Sequence, residues 1–208
     1  MKTIVWDVDD VLNDLTRAWL EGAWLPAHPD CPVQFASLVE NPPHRLLGIT
    51  KDEYLASLDA FRVSSAARQL QPVAEVLTWF DRYGGCARHV ALSAAPLETV
   101  HESAAWVMRH FGRWIRTFAF VPSPRRTPLI PRYETTKGEY LAAWGKADVF
   151  IDDSQANVEA ARTRGIAALL MPQPWNSSHQ TVSETLERLT RLVAADGATS
   201  QASGVSGG

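Results

Sequence analysis

Three short apolar runs, each ending on an acid or a hydroxyl, constrain this chain more than any other feature: Ile4-Val5-Trp6 before Asp7, Val90-Ala91-Leu92 before Ser93, and Val149-Phe150-Ile151 before Asp152. Runs this short and free of polar residues read as strands covered on both faces, the pattern of a buried parallel sheet. Thr117 to Val121 and Ala167 to Met171 supply two more candidates, and helical patterns over residues 72–83, 96–111, 137–145 and 154–164 fall between the runs. Pro96 at a helix start, Gly112 after a last turn and the pair Thr181/Glu184 opening a final helix support that phasing. Such alternation predicts an α/β doubly wound parallel sheet with a Rossmann-like core.

One interval breaks the rhythm. About sixty residues separate Val11 from the helix near Pro72, far more than an ordinary crossover needs, and they carry helical stretches at Asp14 to Trp24 and Lys51 to Phe61. The organisation expected is a catalytic core from residues 1–13 and 72–194, a small helical cap from residues 14–71 inserted after the first strand, and a disordered tail over 195–208. At 208 residues and 46% hydrophobic content the chain buries one sizeable core. A formal charge of −3 gives no basic field for a nucleic acid polymer or an anionic membrane. Cys31 and Cys86 lack the spacing of a zinc pair or a disulfide framework and read as reduced apolar fillers. With no leader-like or membrane-spanning run, the expected location is cytoplasmic.

In a doubly wound sheet the chemistry gathers beyond the carboxyl ends of the strands. Asp7 and Asp9 follow the first run, Ser93 the second, Asp152 and Asp153 the Val149 run, and Lys137 opens the helix before it. Carboxylates drawn to one point repel each other unless a cation intervenes, and their hard oxygens suit Mg2+. Ser93 can donate to a phosphate oxygen and Lys137 can neutralise phosphate charge, so the inventory suits phosphoryl transfer from a small phosphorylated metabolite.

The segment DVDDVLND at 7–14 resembles the opening motif of the haloacid dehalogenase superfamily of phosphatases, and Ser93 in VALSAAP, Lys137 in ETTKGEY and Asp152-Asp153 in VFIDDSQANVEAA are similar to its later motifs in the same order. That resemblance implies Asp7 as the nucleophile of an aspartyl-phosphate, Asp9 as general acid and base, and Ser93 and Lys137 as phosphate ligands. It also implies Mg2+ held by Asp7, Asp152 and the Asp9 backbone carbonyl, with Asp153 in direct or water-mediated support. Pro174-Trp175-Asn176 and the DxDxVxxD opening resemble the 5'(3')-deoxyribonucleotidase branch, which implies a (deoxy)nucleoside monophosphate; Asp10 and Ala94 depart from that branch's pattern.

Blander roles are expected elsewhere. Asp14 reads as a helix N-cap or first-turn acid and Asp10 as exposed, while Asn157 reads as a brace for the acidic pair. Trp79, Trp106, Trp114 and Trp144 read as packing, whereas Trp19, Trp24 and Trp175 are placed near the mouth, where the first two would close over the leaving group. The six histidines show no ligand spacing and read as surface or hydrogen-bonding groups; Arg125-Arg126 lie in a loop that leaves the catalytic edge. Three other activities use the same parts: a phosphotransferase that passes the aspartyl-phosphate to an alcohol, a receiver-like module, and a non-catalytic phosphate-binding protein. Turnover of a phosphate ester separates the last two from the first, and labelled acceptor separates transfer from hydrolysis.

Overall fold

The computed structural model describes residues 1–123 and 133–194; Arg125-Arg126 and the tail expected over 195–208 lie outside the described residues. Five strands, β1 (Thr3–Trp6), β2 (Arg88–Ala95), β3 (Ile115–Pro122), β4 (Val149–Asp152) and β5 (Ala167–Leu170), form one sheet in the order β3-β2-β1-β4-β5. Every pairing is parallel. β1 and β4 are buried along their whole length, as apolar strands with helices on both faces must be. The chain builds outward from β1 to β2 and β3, then returns to add β4 and β5 on the other side. This reversal opens a crevice beyond the carboxyl end of β1.

The helices of the sheet are α5 (Ala74–Tyr83), α6 (Leu97–Phe111), α7 (Lys137–Trp144), α8 (Gln155–Arg162) and α9 (Val182–Ala194). One face packs Ile4, Trp6 and Ile151 against Trp79 and Phe80 of α5, Val107 and Phe111 of α6, and Leu186 and Leu189 of α9. The opposite face packs Val5, Leu92 and Phe150 against Leu141 of α7 and Val158 and Ala161 of α8. Local signals set the ends. Thr136 and Glu139 form a capping box at the start of α7, Gly145 in the left-handed conformation (φ 62°) ends it, and Thr181 and Glu184 exchange the expected capping bonds before α9. Pro96 stands one place outside α6, at its N-cap. Cys86 is exposed, not a packed filler, because it sits in a single helical turn on the surface.

Residues 15–68 hold α1 (Leu15–Trp19), a π-helical turn (Leu20–Trp24), α2 (Leu25–Ala27), α3 (Lys51–Arg62) and α4 (Ser65–Arg68). These elements share a hydrophobic cluster of their own, built around Trp19, Leu20, Leu38, Tyr54 and Phe61. They join the sheet layer through Arg68, which makes a two-pronged ion pair with Glu102 of α6, and through the Trp106 indole, which donates to the Leu70 carbonyl. No helix among the described residues is long and apolar enough to cross a membrane.

Candidate active site

The crevice beyond β1 is a cavity of about 300 Å³. Asp7, Asp9, Asp10, Lys137 and Asp153 form its floor; Lys51, Tyr54, Leu55, Leu58 and Arg62 of α3 form its roof. Five of the six residues singled out by sequence lie in the cavity or bond to one that does. Asp7 leaves β1 with its Oδ1 accepting the Val8 N–H at 2.7 Å and the Lys137 ammonium at 2.5 Å. Lys137, 3% exposed, reaches Asp152 Oδ2 at 2.7 Å with the same nitrogen. Asp152 is fully buried, and its Oδ1 accepts from the Ser154 N–H at 2.8 Å and from Asn157 Nδ2 at 3.0 Å. Asn157 therefore braces Asp152, the first member of the acidic pair, from the first turn of α8.

Asp153 faces the cavity, and the segment after β5 holds it. The Trp175 indole donates to Asp153 Oδ2 at 2.9 Å, Asn176 Nδ2 donates to the Asp153 carbonyl at 2.9 Å, and Gln173 Nε2 reaches the Asp10 carbonyl at 2.8 Å. Ser93, the sixth residue, is 1% exposed, and its hydroxyl has no hydrogen-bond partner among the described residues. Ala94, its neighbour along β2, lines the cavity instead. An unsatisfied buried hydroxyl is costly and calls for a partner.

Ligand oxygens of Asp7, Asp152 and Asp153 lie within 4.8 Å of one another, which fits a divalent cation. Against these three carboxylates stands one ammonium, leaving two formal negative charges in excess. Burial, together with Asp152 and Asp153, lifts the Asp7 carboxyl well above the usual range despite Lys137. Burial with Asp152 and Asp10 pushes Asp153 up to about 8. Burial would lower Lys137, but Asp152 and Asp7 hold it above its ordinary value. A bare cluster of this kind binds a proton at neutral pH; a divalent ion relieves the same repulsion.

Four residues do not play the part expected of them from sequence. Asp10 is buried, not exposed, and takes a positive φ of 61°, a left-handed conformation that glycine adopts most readily. Its carboxylate accepts the Thr16 N–H at 2.8 Å and the Thr16 hydroxyl at 2.5 Å, and burial raises it to about 7 despite those bonds. Asp10 thus serves the amino end of α1, whereas Asp14, which occupies the N-cap position, makes no capping bond with its side chain. Trp19 and Trp24 do not close over the cavity. They pack against each other at a tilt, Trp19 meets Tyr54 edge-on and Trp24 stacks on His28 within the cluster of the inserted segment, because an indole buries more apolar area there than at a wet mouth.

The sequence reading also missed Arg62, whose side chain is only 10% exposed. Its guanidinium Nη1 binds the Asp9 carboxylate, and Asn13 Nδ2 approaches the other Asp9 oxygen at 3.5 Å. The helical repeat of α3 carries a signal for it, since Lys51, Tyr54, Leu55, Leu58 and Arg62 recur at three- and four-residue steps.

No family model matches the chain, and no curated protein sequence does. Solved structures do. A Thermotoga maritima protein assigned as a β-phosphoglucomutase aligns at 16% identity over 92% of this chain and 99% of its own, with a TM-score of 0.57. A haloacid dehalogenase-like family hydrolase from Streptococcus pneumoniae aligns at 14% identity over 92% and 98%, also with a TM-score of 0.57. The fold is that of the haloacid dehalogenase superfamily. A Lactobacillus delbrueckii subsp. bulgaricus protein assigned as a phosphoglycolate phosphatase has the same haloacid dehalogenase fold, at 16% identity over 92% and 98% and a TM-score of 0.57. At such identities the likeness speaks for the fold, and the chemistry must be read from the residues.

Proposed function

We propose that the protein is a Mg2+-dependent phosphomonoester hydrolase that works through an aspartyl-phosphate on Asp7. The observation that carries this reading is the Asp7-Lys137-Asp152-Asp153 constellation at the end of the central strand, with excess negative charge and a cavity beside it. Lys137 fixes Asp7 through Oδ1, and among the described residues Asp7 Oδ2 accepts no hydrogen bond. That oxygen attacks phosphorus, the bond to the ester oxygen breaks, and Asp9 gives a proton to the departing alkoxide. In the second half Asp9 takes a proton from water as the water oxygen attacks phosphorus, releasing phosphate and restoring the Asp7 carboxylate.

Asp7, Asp152 and the Asp9 carbonyl would hold the cation, with Asp153 in direct or water-mediated support, and Asp152 would also steady Lys137. A bound Mg2+ supplies neutralisation between these carboxylates and a phosphate dianion. Ser93 and Lys137 would bind the phosphoryl oxygens, and the unpartnered Ser93 hydroxyl supports that role. Asp9 meets Arg62 in the present arrangement, so proton donation requires the roof to shift. Residues 14–71 would be the cap that makes this movement, as their separate hydrophobic cluster suggests.

The nucleotidase resemblance makes a (deoxy)nucleoside monophosphate one substrate class to test; the likeness to a protein assigned as a mutase keeps transfer to an alcohol as a second reading. Phosphate release should be screened over nucleotides, sugar phosphates and phospho-amino acids, with Mg2+ or with EDTA and with labelled acceptor alcohols. Release that needs the metal supports the reading. Hydrolysis of no ester in Mg2+, or full activity in EDTA, removes it.

A further inference from the structure

The roof of the cavity is one stripe of α3. Lys51, Tyr54, Leu55, Leu58 and Arg62 line the cavity together, and their spacing places them on a single helical face. The stripe has a cation at each end and an apolar middle. Arg62, at one end, is committed to Asp9. Lys51 stands about 16 Å away along the axis, at 1.5 Å per residue, and is exposed at the rim with no ion pair or hydrogen bond from its ammonium among the described residues. Its neighbours on the helix do not neutralise it across the cavity. Glu53 is tied to the Thr50 N–H and hydroxyl in a capping box, and neither it nor Asp52 lines the space.

Opposite this roof the floor carries Asp7, Asp9, Asp10 and Asp153 against the single ammonium of Lys137, which is already paired with Asp7 and Asp152. A ligand that brings a phosphate to Asp7 meets repulsion for any further negative charge near the floor. While Arg62 is bound to Asp9, the end of the roof open to a second anion is the Lys51 end, where the amino terminus of α3 adds its own partial positive charge. Between the two lies the apolar stretch of Tyr54, Leu55 and Leu58.

We infer that Lys51 is a specificity-determining residue and that the substrate is a small phosphomonoester whose alcohol part has an apolar stretch next to the ester and a second anionic group at its far end. This inference rests on the hydrolase reading and names its substrate class. The second anion is a carboxylate or a second phosphate, which share the chemistry that Lys51 recognises.

The test uses the full-length protein and matched compounds: propyl phosphate, the same ester with a terminal carboxylate, and propane-1,3-bisphosphate, alongside nucleoside monophosphates, whose leaving groups are neutral. The wild type should favour an anion-bearing ester by about tenfold in kcat/KM, chiefly through KM, the scale of one charge-assisted contact at a partly exposed site. Lys51→Ala should erase that ratio and Lys51→Glu should invert it; the better of the carboxylate and bisphosphate arms identifies the anion. The corresponding alkylphosphonates, which cannot be hydrolysed, report the same preference by calorimetry. Turnover with no preference, a preference for nucleoside monophosphates, or a ratio untouched by Lys51→Glu overturns the inference while leaving the hydrolase standing. No turnover of any ester, with the phosphonate preference intact, overturns the hydrolase reading and retains Lys51 as the anion reader; loss of both removes both.

Discussion

Replacing Lys137 by Met keeps the length and apolar stem of the side chain and removes its charge from between Asp7 and Asp152, where it is 3% exposed against partners 8% and 0% exposed. Removing one member of a buried ion pair costs about 3–5 kcal/mol, since the charge left behind is neither solvated nor paired. The cost should depend on pH. The folded-state pKa of Lys137 is raised, so its contribution is fully present below the ordinary lysine value near 10.5 and is lost only as pH rises past it. At pH 8.5 the wild type therefore keeps nearly all of this stabilisation. In the variant Asp7 and Asp153, already lifted by burial, lose their cation and rise further. Raised carboxyls take up protons as pH falls, which relieves the repulsion. The gap between wild type and Lys137→Met should thus be widest near pH 8.5 and narrow by pH 5.5. Urea unfolding followed by tryptophan fluorescence at the two pH values measures it. A gap below about 1 kcal/mol at pH 8.5, or one of equal size at both, would show that Lys137 does not balance the carboxylates, and the charge argument for a cation site would fail with it.

Three other outcomes are expected. Asp7→Asn should retain the fold, seen by circular dichroism, and lose turnover in steady-state assays, because the amide has no anionic oxygen to attack phosphorus. Asp9→Asn should slow turnover by roughly two to four orders of magnitude, the usual worth of acid-base help, and a loss under tenfold would remove it from proton transfer. His89 should make the fold sensitive to acid. The Trp6 indole can only donate, so His89 Nδ1 accepts from it at 3.1 Å, and Nε2–H donates to the Gly84 carbonyl at 2.9 Å. Burial lowers His89 to about 4, so its stability is present above the ordinary value near 6.5 and lost as pH falls towards 4. The loss is about 3 kcal/mol, absent in His89→Gln, and comparing the two proteins' urea midpoints between pH 7.5 and 4.5 checks it.

The core of the site was legible because its residues are fixed by chain position relative to strands that any reader can find. Asp7, Asp152 and Asp153 follow or end apolar runs, and parallel neighbours in register bring their ends together without any long-range adjustment. Lys137 is placed almost as simply, being the first residue of a helix whose capping box is written in Thr136 and Glu139. Asn157 follows from the turn of α8. Such positions are set by secondary structure and topology, which the sequence encodes locally.

The roof is a different kind of problem, since the side chains that face the site depend on how the inserted helices pack over the sheet. Period alone shows that Lys51 and Arg62 share a face of α3, yet Phe61 and the tryptophans of α1 and the π turn are just as periodic and turn inward. Size misleads there, because the largest rings stabilise the inserted segment most when buried inside it, and what α3 leaves for the cavity is one tyrosine, two leucines and two cations. Asp10 was hidden for the opposite reason. Its local sequence reads as a solvated acid beside a catalytic one, while its role arises from a left-handed backbone that turns the carboxylate onto Thr16 at the start of α1. That bond ties the loop carrying Asp7 and Asp9 to the first helix of the inserted segment, so the roof shift proposed to free Asp9 from Arg62 would pull on the same loop.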